Sequence, residues 1–112
     1  MKSSKNRIIH IEKEDQFDEY LASDIDYLFV DFYATWCGPC KRIEPELEKL
    51  CEEYNYVKFL KVDVDKQKNL AGYYNIKAMP TFLLFDKTNK SYKPITGANV
   101  EQIKALLATT QN

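Results

Sequence analysis

Tyr27-Leu28-Phe29-Val30-Asp31-Phe32-Tyr33 runs through Ala34-Thr35-Trp36 directly into Cys37-Gly38-Pro39-Cys40. The opening segment is apolar or aromatic except at Asp31. An apolar run of that length without alternation fits a central strand covered on both faces. From Pro39 the spacing changes: Ile43, Leu47, Leu50, Cys51 and Tyr54 recur at helical intervals, with Glu44, Glu48, Lys49, Glu52 and Glu53 on the other side. Pro45 falls inside this pattern and removes one backbone donor. Because the apolar stripe resumes beyond it, the spacing predicts a kinked helix rather than a helix end. A buried strand that passes straight into a long helix through a cysteine pair points to an α/β domain.

The rest of the chain extends the pattern. Ile8, Ile9 and Ile11 predict a short first strand, and Phe17, Tyr20 and Leu21 sit at helical spacing behind an acidic start. Residues 57–64 read as a second buried strand and residues 66–73 as a short helix. Residues 81–85 and 91–96 predict two strands joined by the polar stretch 86–90, an antiparallel hairpin. Pro94 places the last strand at an edge, where a missing N–H costs little. Asn99, followed three residues later by Gln102, makes a capping-box-like start for a final helix that buries Val100, Ile103, Leu106 and Leu107. The earlier strands imply right-handed parallel crossovers, so the expected architecture is one mixed sheet with helices on both faces.

A length of 112 residues fits a single domain spanning the chain, with a polar N-terminal tail at residues 1–7. Hydrophobic residues make up 45% and charged residues 29%, with 3 Gly and 4 Pro, which excludes a disordered, collagen-like or low-complexity chain. A domain of this size buries roughly two-thirds of the surface its unfolded chain exposes, enough for a core without disulfide staples. The formal net charge of -1 gives no global attraction to nucleic acid or to an anionic membrane. No apolar stretch follows the basic first residues, which argues against a secretory signal. The longest apolar runs, such as residues 81–85, fall far short of the ~20 residues that span a bilayer. With 3 cysteines the chain makes a poor disulfide framework for a secreted protein. A reducing, cytoplasmic setting is expected, where paired cysteines are catalytic, redox-active or metal-binding.

Cysteines separated by two residues at a helix start can bring their sulfurs within bonding reach. The unpaired N–H groups of a first helical turn and the helix dipole stabilise negative charge there. The thiolate is the reactive form of cysteine, so this placement lowers a thiol pKa toward working pH. Cys37, nearer those N–H groups and the solvent, is the better nucleophile, and Cys40, one turn inside, the better resolving thiol. Gly38 permits close approach of another backbone, and Pro39 fits the first turn without wasting a donor. Zinc is the rival use of such a pair, but a structural site commonly takes four ligands, and the chain adds only Cys51 and a single histidine, His10, far away in sequence. An inert structural disulfide is the other alternative.

The segment Val30-Asp31-Phe32-Tyr33-Ala34-Thr35-Trp36-Cys37-Gly38-Pro39-Cys40-Lys41 resembles the active site of the thioredoxin family, including the tryptophan before the first cysteine. The similarity continues through Pro45, Lys61-Val62-Asp63-Val64-Asp65, Met79-Pro80-Thr81-Phe82 and Gly97-Ala98, in the family's order and spacing. It implies the thioredoxin fold, a central mixed five-stranded β-sheet flanked by four α-helices. It also implies a general protein-disulfide reductase working through a Cys37–Cys40 redox-active disulfide and contributing to cell redox homeostasis. Thioredoxin reductase, drawing electrons from NADPH, is the implied partner, with no cofactor bound to this chain. Implied clients are of the peroxiredoxin, ribonucleotide reductase or methionine sulfoxide reductase type, and a monomer is expected. An oxidase or isomerase of the disulfide isomerase type is the enzymatic alternative. Gly38-Pro39 argues against it, since those relatives often carry a histidine between the cysteines. A binding role without turnover is the alternative from another class.

The flanking residues are read beside that resemblance. Asp31 interrupts an apolar strand, where an isolated carboxylate is expensive to ionise. It is either an acid tolerated in the strand or a proton acceptor with a raised pKa serving Cys40, and the second is the role proposed for the matching acid in thioredoxins. Lys61, mid-strand, is either a solvent-facing lysine or, as in the family, a neighbour of that acid. Met79-Pro80 resembles the family's cis-proline segment facing the cysteines, which leaves Met79 backbone groups to pair with an extended client. Trp36, Gly38, Pro39, Gly97 and Ala98 would complete a shallow apolar contact surface with Pro80, unless Trp36 only shields the site. Cys51 is expected in the core and His10 on a strand without a catalytic part. The stretch 86–90 is about a residue longer than is usual in the family and lacks its common glycine, which leaves the turn geometry open.

Overall fold

The computed structural model describes residues 6–111. Five strands, β1 (Ile9–His10), β2 (Tyr27–Tyr33), β3 (Val57–Asp63), β4 (Thr81–Asp86) and β5 (Ser91–Thr96), form one sheet in the order β1-β3-β2-β4-β5. The first three strands of that order run parallel, and β4 and β5 add antiparallel ladders. The helices are α1 (Glu14–Ala22), α2 (Gly38–Arg42), α3 (Glu44–Glu53), α4 (Lys68–Tyr73) and α5 (Val100–Ala108).

Strand β2 lies in the middle of the sheet, which is why its sequence does not alternate. Phe29 faces one side, packed with Phe59, Phe82, Leu47 and Leu50 of α3 and Ile103 and Leu107 of α5. Leu28, Val30 and Phe32 face the other, with Phe17 of α1, Leu70 of α4, Leu60, Val62 and Phe85. Burying a side chain of this kind contributes on the order of 1.5–3 kcal/mol each, so β2 is the best-anchored part of the chain. Strand β5 is an edge, as Pro94 requires.

Where a single kinked helix was expected, there are two. Helix α2 ends at Arg42, and Ile43, at φ −85° and ψ −11°, caps both α2 and α3. Pro45 lies in the first turn of α3, where its missing N–H has no partner to lose. The count is therefore five helices among the described residues instead of four, with the fold unchanged. The first strand is shorter than Ile8, Ile9 and Ile11 implied, although the Ile11 N–H still donates to the Lys61 carbonyl at 2.9 Å. Of the expected polar tail, residues 1–5 lie outside the described part. Asn6 is fastened, its carboxamide donating to the carbonyls of Cys51 at 3.0 Å and Val57 at 2.9 Å.

The hairpin between β4 and β5 closes without glycine. The Asp86 carboxylate accepts from the Asn89 N–H and from Asn89 Nδ2, and Lys90 takes the left-handed conformation at φ +52°. Asn99 Oδ1 accepts the Gln102 N–H at 3.1 Å and so opens α5 as its sequence predicts.

Candidate active site

Because β2 and β4 are antiparallel, the end of β2 and the start of β4 meet at one end of the sheet, with Phe32 opposite Thr81. The chain leaves β2 at Tyr33 and turns, the Cys37 N–H donating to the Ala34 carbonyl at 3.2 Å. Cys37 is the N-cap of α2, and its Sγ accepts the Cys40 N–H at 3.2 Å. The cap position, usually filled by a small oxygen-bearing side chain, is thus filled by sulfur. Cys37 and Cys40 are joined in a disulfide with Cα atoms 5.3 Å apart. Both are buried against Ala34, with Tyr33, Val64 and Met79 packed around them. As whole residues, Cys37 is 5% exposed and Cys40 2%.

Met79-Pro80 joins in cis on the other side of the disulfide, and the Met79 carbonyl oxygen lies 3.7 Å from Cys37 Sγ. The Pro80 carbonyl accepts the Gly97 N–H at 2.8 Å, which ties the end of β5 to this segment. Gly97 sits at φ +98°, a conformation glycine adopts without steric cost. Trp36 is 67% exposed, and Gly38, Pro39 and Ala98 are exposed as well. The Trp36 indole is held by Nε1–H donating to Asp65 Oδ2 at 2.9 Å.

Asp31 is buried in β2, and neither carboxyl oxygen has a hydrogen-bond partner among the described residues. Burial pushes its pKa up to about 7, against the pull of Lys61 and with a further push from Glu44. Lys61 is the register neighbour of Asp31 on β3. Its ammonium, however, donates to Glu44 Oε2 at 2.6 Å and lies 4.3 Å from the centre of the Tyr33 ring. Cys51 is buried in the α3 core, where burial pushes its thiol up to about 11, so it stays protonated at neutral pH. His10 is exposed on β1.

The fold therefore gathers Cys37, Cys40 and Met79 around one disulfide, with Pro80 and Gly97 tied beside it and Asp31 and Lys61 side by side in the sheet. Sequence reading passed over Glu44 and the indole partner Asp65. Asp65 stood in the recognised segment, so its place was marked and its bond was not. Nothing in the spacing of α3 distinguishes Glu44 from its other acids. Among the described residues no group of His, Cys, Asp or Glu side chains is placed to hold a metal ion, and no helix is long and apolar enough to cross a membrane.

The profile of the thioredoxin family matches residues 8–109. The chain is 46% identical over 93 residues to Thioredoxin-1 of Saccharomyces cerevisiae, covering 83% of this chain and 88% of that one. It is 45% identical over 98 residues to the thioredoxin of Rattus norvegicus, covering 87% and 92%. The crystal structure of a thioredoxin from Nicotiana alata superimposes with a TM-score of 0.87 at 30% identity, covering 100% of this chain and 99% of that one.

Proposed function

The chain belongs to the thioredoxin family and is a protein-disulfide oxidoreductase, and from that premise we propose that it is a general disulfide reductase recharged by thioredoxin reductase with electrons from NADPH. The observation that carries this reading is the Cys37–Cys40 disulfide at the junction of β2 and α2, with the Cys40 N–H on Cys37 Sγ.

In the reduced protein that N–H favours the Cys37 thiolate over the thiol. The thiolate attacks one sulfur of a client disulfide, forming a mixed disulfide and expelling the client's first thiolate. Asp31 takes the proton of Cys40, and the Cys40 thiolate attacks Cys37 Sγ and expels the client's second thiolate. Two electrons thereby pass from the dithiol to the client, and the chain is left as the Cys37–Cys40 disulfide. A proton acceptor titrating near 7 suits this step, since general bases work best near the operating pH. Lys61, beside Asp31, modulates the charge of that base. An extended client segment pairs with the Met79 backbone and rests on Trp36, Gly38, Pro39, Pro80, Gly97 and Ala98. Exchange between sulfurs needs no bound cofactor. Clients of the peroxiredoxin, ribonucleotide reductase and methionine sulfoxide reductase type, a cytoplasmic setting, a monomeric single-domain state and a part in cell redox homeostasis complete the proposal.

Reduction of insulin disulfides driven by NADPH and thioredoxin reductase tests it, with Cys40→Ser as the control. Turnover by the wild-type chain alone is the expected result. Turnover with dithiothreitol but not with the reductase would keep the chemistry and remove the partner. Turnover with neither would overturn the reductase reading in favour of an oxidase or a binding subunit.

A further inference from the structure

A row of register partners crosses the sheet at the level of the buried acid: His10 on β1 beside Lys61 on β3, and Lys61 beside Asp31 on β2. Aligned residues on neighbouring strands project to the same face, so Lys61 stands where it could neutralise the Asp31 carboxylate. Its ammonium is instead bonded to Glu44 Oε2 at 2.6 Å and rests over the Tyr33 ring, while both Asp31 oxygens have no protein partner among the described residues. The geometry is inverted from what desolvation alone would favour. The Glu44 side chain is 45% exposed and water would solvate it even if Lys61 were removed, whereas the buried acid would gain most from a partner.

We infer that Glu44 is a positioning residue whose carboxylate holds the Lys61 ammonium off Asp31, leaving the buried acid unpaired and able to take up a proton. An Asp31 carboxylate paired with Lys61 would be stabilised as the anion and would be a weaker base. The two charges act on Asp31 with these signs, Lys61 downward and Glu44 upward. The charged and titratable groups around the lysine are Tyr33 from β2, His10 from β1, and Glu44 and Glu48 from α3. Three of these four (not Tyr33) line a recess of about 280 Å³ that opens the pair to solvent. The functional meaning rests on Asp31 serving as the base for Cys40, but the placement of the lysine can be tested without it.

The test is a carboxyl-carbon NMR titration of Asp31 in the oxidised protein, in which neither Cys37 nor Cys40 can titrate. Glu44→Gln is expected to lower the Asp31 midpoint by about one pH unit. Glu48→Gln, the next acid facing the recess from the same helix, is expected to leave it in place. In a Lys61→Gln background, Glu44→Gln should shift the midpoint by less than half as much, because the cation it holds is gone. An unmoved midpoint in Glu44→Gln, an equal shift in Glu48→Gln, or a full shift retained without Lys61 would each overturn the inference. The pH profile of mixed-disulfide resolution in the same variants is read separately. A titration that moves while that profile stays fixed supports the hold on Lys61 and overturns Asp31 as the base.

Discussion

Asp31 concentrates the energetic cost of the site, and the base role proposed for it, in one side chain. Its pKa rises from 3.8 to about 7 through burial, which at ~1.4 kcal/mol per unit makes the anion about 4 kcal/mol harder to bury than the acid. Between those two values the folded state binds more protons than the unfolded state, so stability falls as pH rises through this window and levels off above the folded pKa. In Asp31→Asn that decline should shrink by about 2–4 kcal/mol, as read from urea midpoints between about pH 4 and about pH 8. The same substitution should slow mixed-disulfide resolution by about 10–100-fold while leaving the first attack within about threefold, because it removes the proposed base and not the nucleophile. Equal slowing of both steps in stopped-flow traces would remove Asp31 from the mechanism. The unusual nature of this residue was legible in sequence, since a lone carboxylate in an apolar strand is conspicuous. The hold of Glu44 on Lys61 was not, because a contact between side chains 17 positions apart leaves no trace in periodicity.

At the scale of elements, strand and helix periods located most of the segments to within a residue or two, and the exceptions have local causes. Ile43 serves as the cap shared by α2 and α3, and an apolar stripe that continues across a break looks the same as one that continues across a kink. The end of α1 carries a contact of a different kind, one that no local period shows. The Lys87 ammonium reaches back from the hairpin to the carbonyls of Tyr20 and Ser23, a cap supplied from 64 positions away or more. The missing hairpin glycine is answered by Lys90 at φ +52°, a conformation that costs a non-glycine residue roughly 1 kcal/mol. Lys90→Gly should therefore stabilise the chain by up to about 1 kcal/mol, offset in part by the greater freedom of glycine in the unfolded state. A urea midpoint below that of the wild type would show that the turn draws on the lysine side chain itself.

Across the whole molecule, stability should be graded outward from β2. That strand is paired on both edges and covered on both faces, while β1 contributes only two residues and β5 has a free edge carrying Pro94. Amides of Leu28 to Phe32 should exchange with deuterium only through global unfolding, and those of β5 at least about 100-fold faster. Uniform exchange across the sheet would contradict this gradient. The two-sided core was readable from the unbroken apolar strand. The meeting of Cys37 with Met79 was not derivable from the residues alone, because it follows from strand order and from the antiparallel placement of β4 beside β2. Only the resemblance of the segments foretold it.

The indole of Trp36 has a consequence for how the chain can be watched. It is the only tryptophan among the 112 residues, it is largely open to water, and it directly precedes the first cysteine of the disulfide in the chain. Its ultraviolet emission is therefore a one-site optical signal, reporting the border of the cysteine pair with no second fluorophore of its kind to dilute it. Its bond to Asp65 anchors the ring to the turn after β3. A change in emission on reduction, or on arrival of a client, can thus be read in real time on the unlabelled chain.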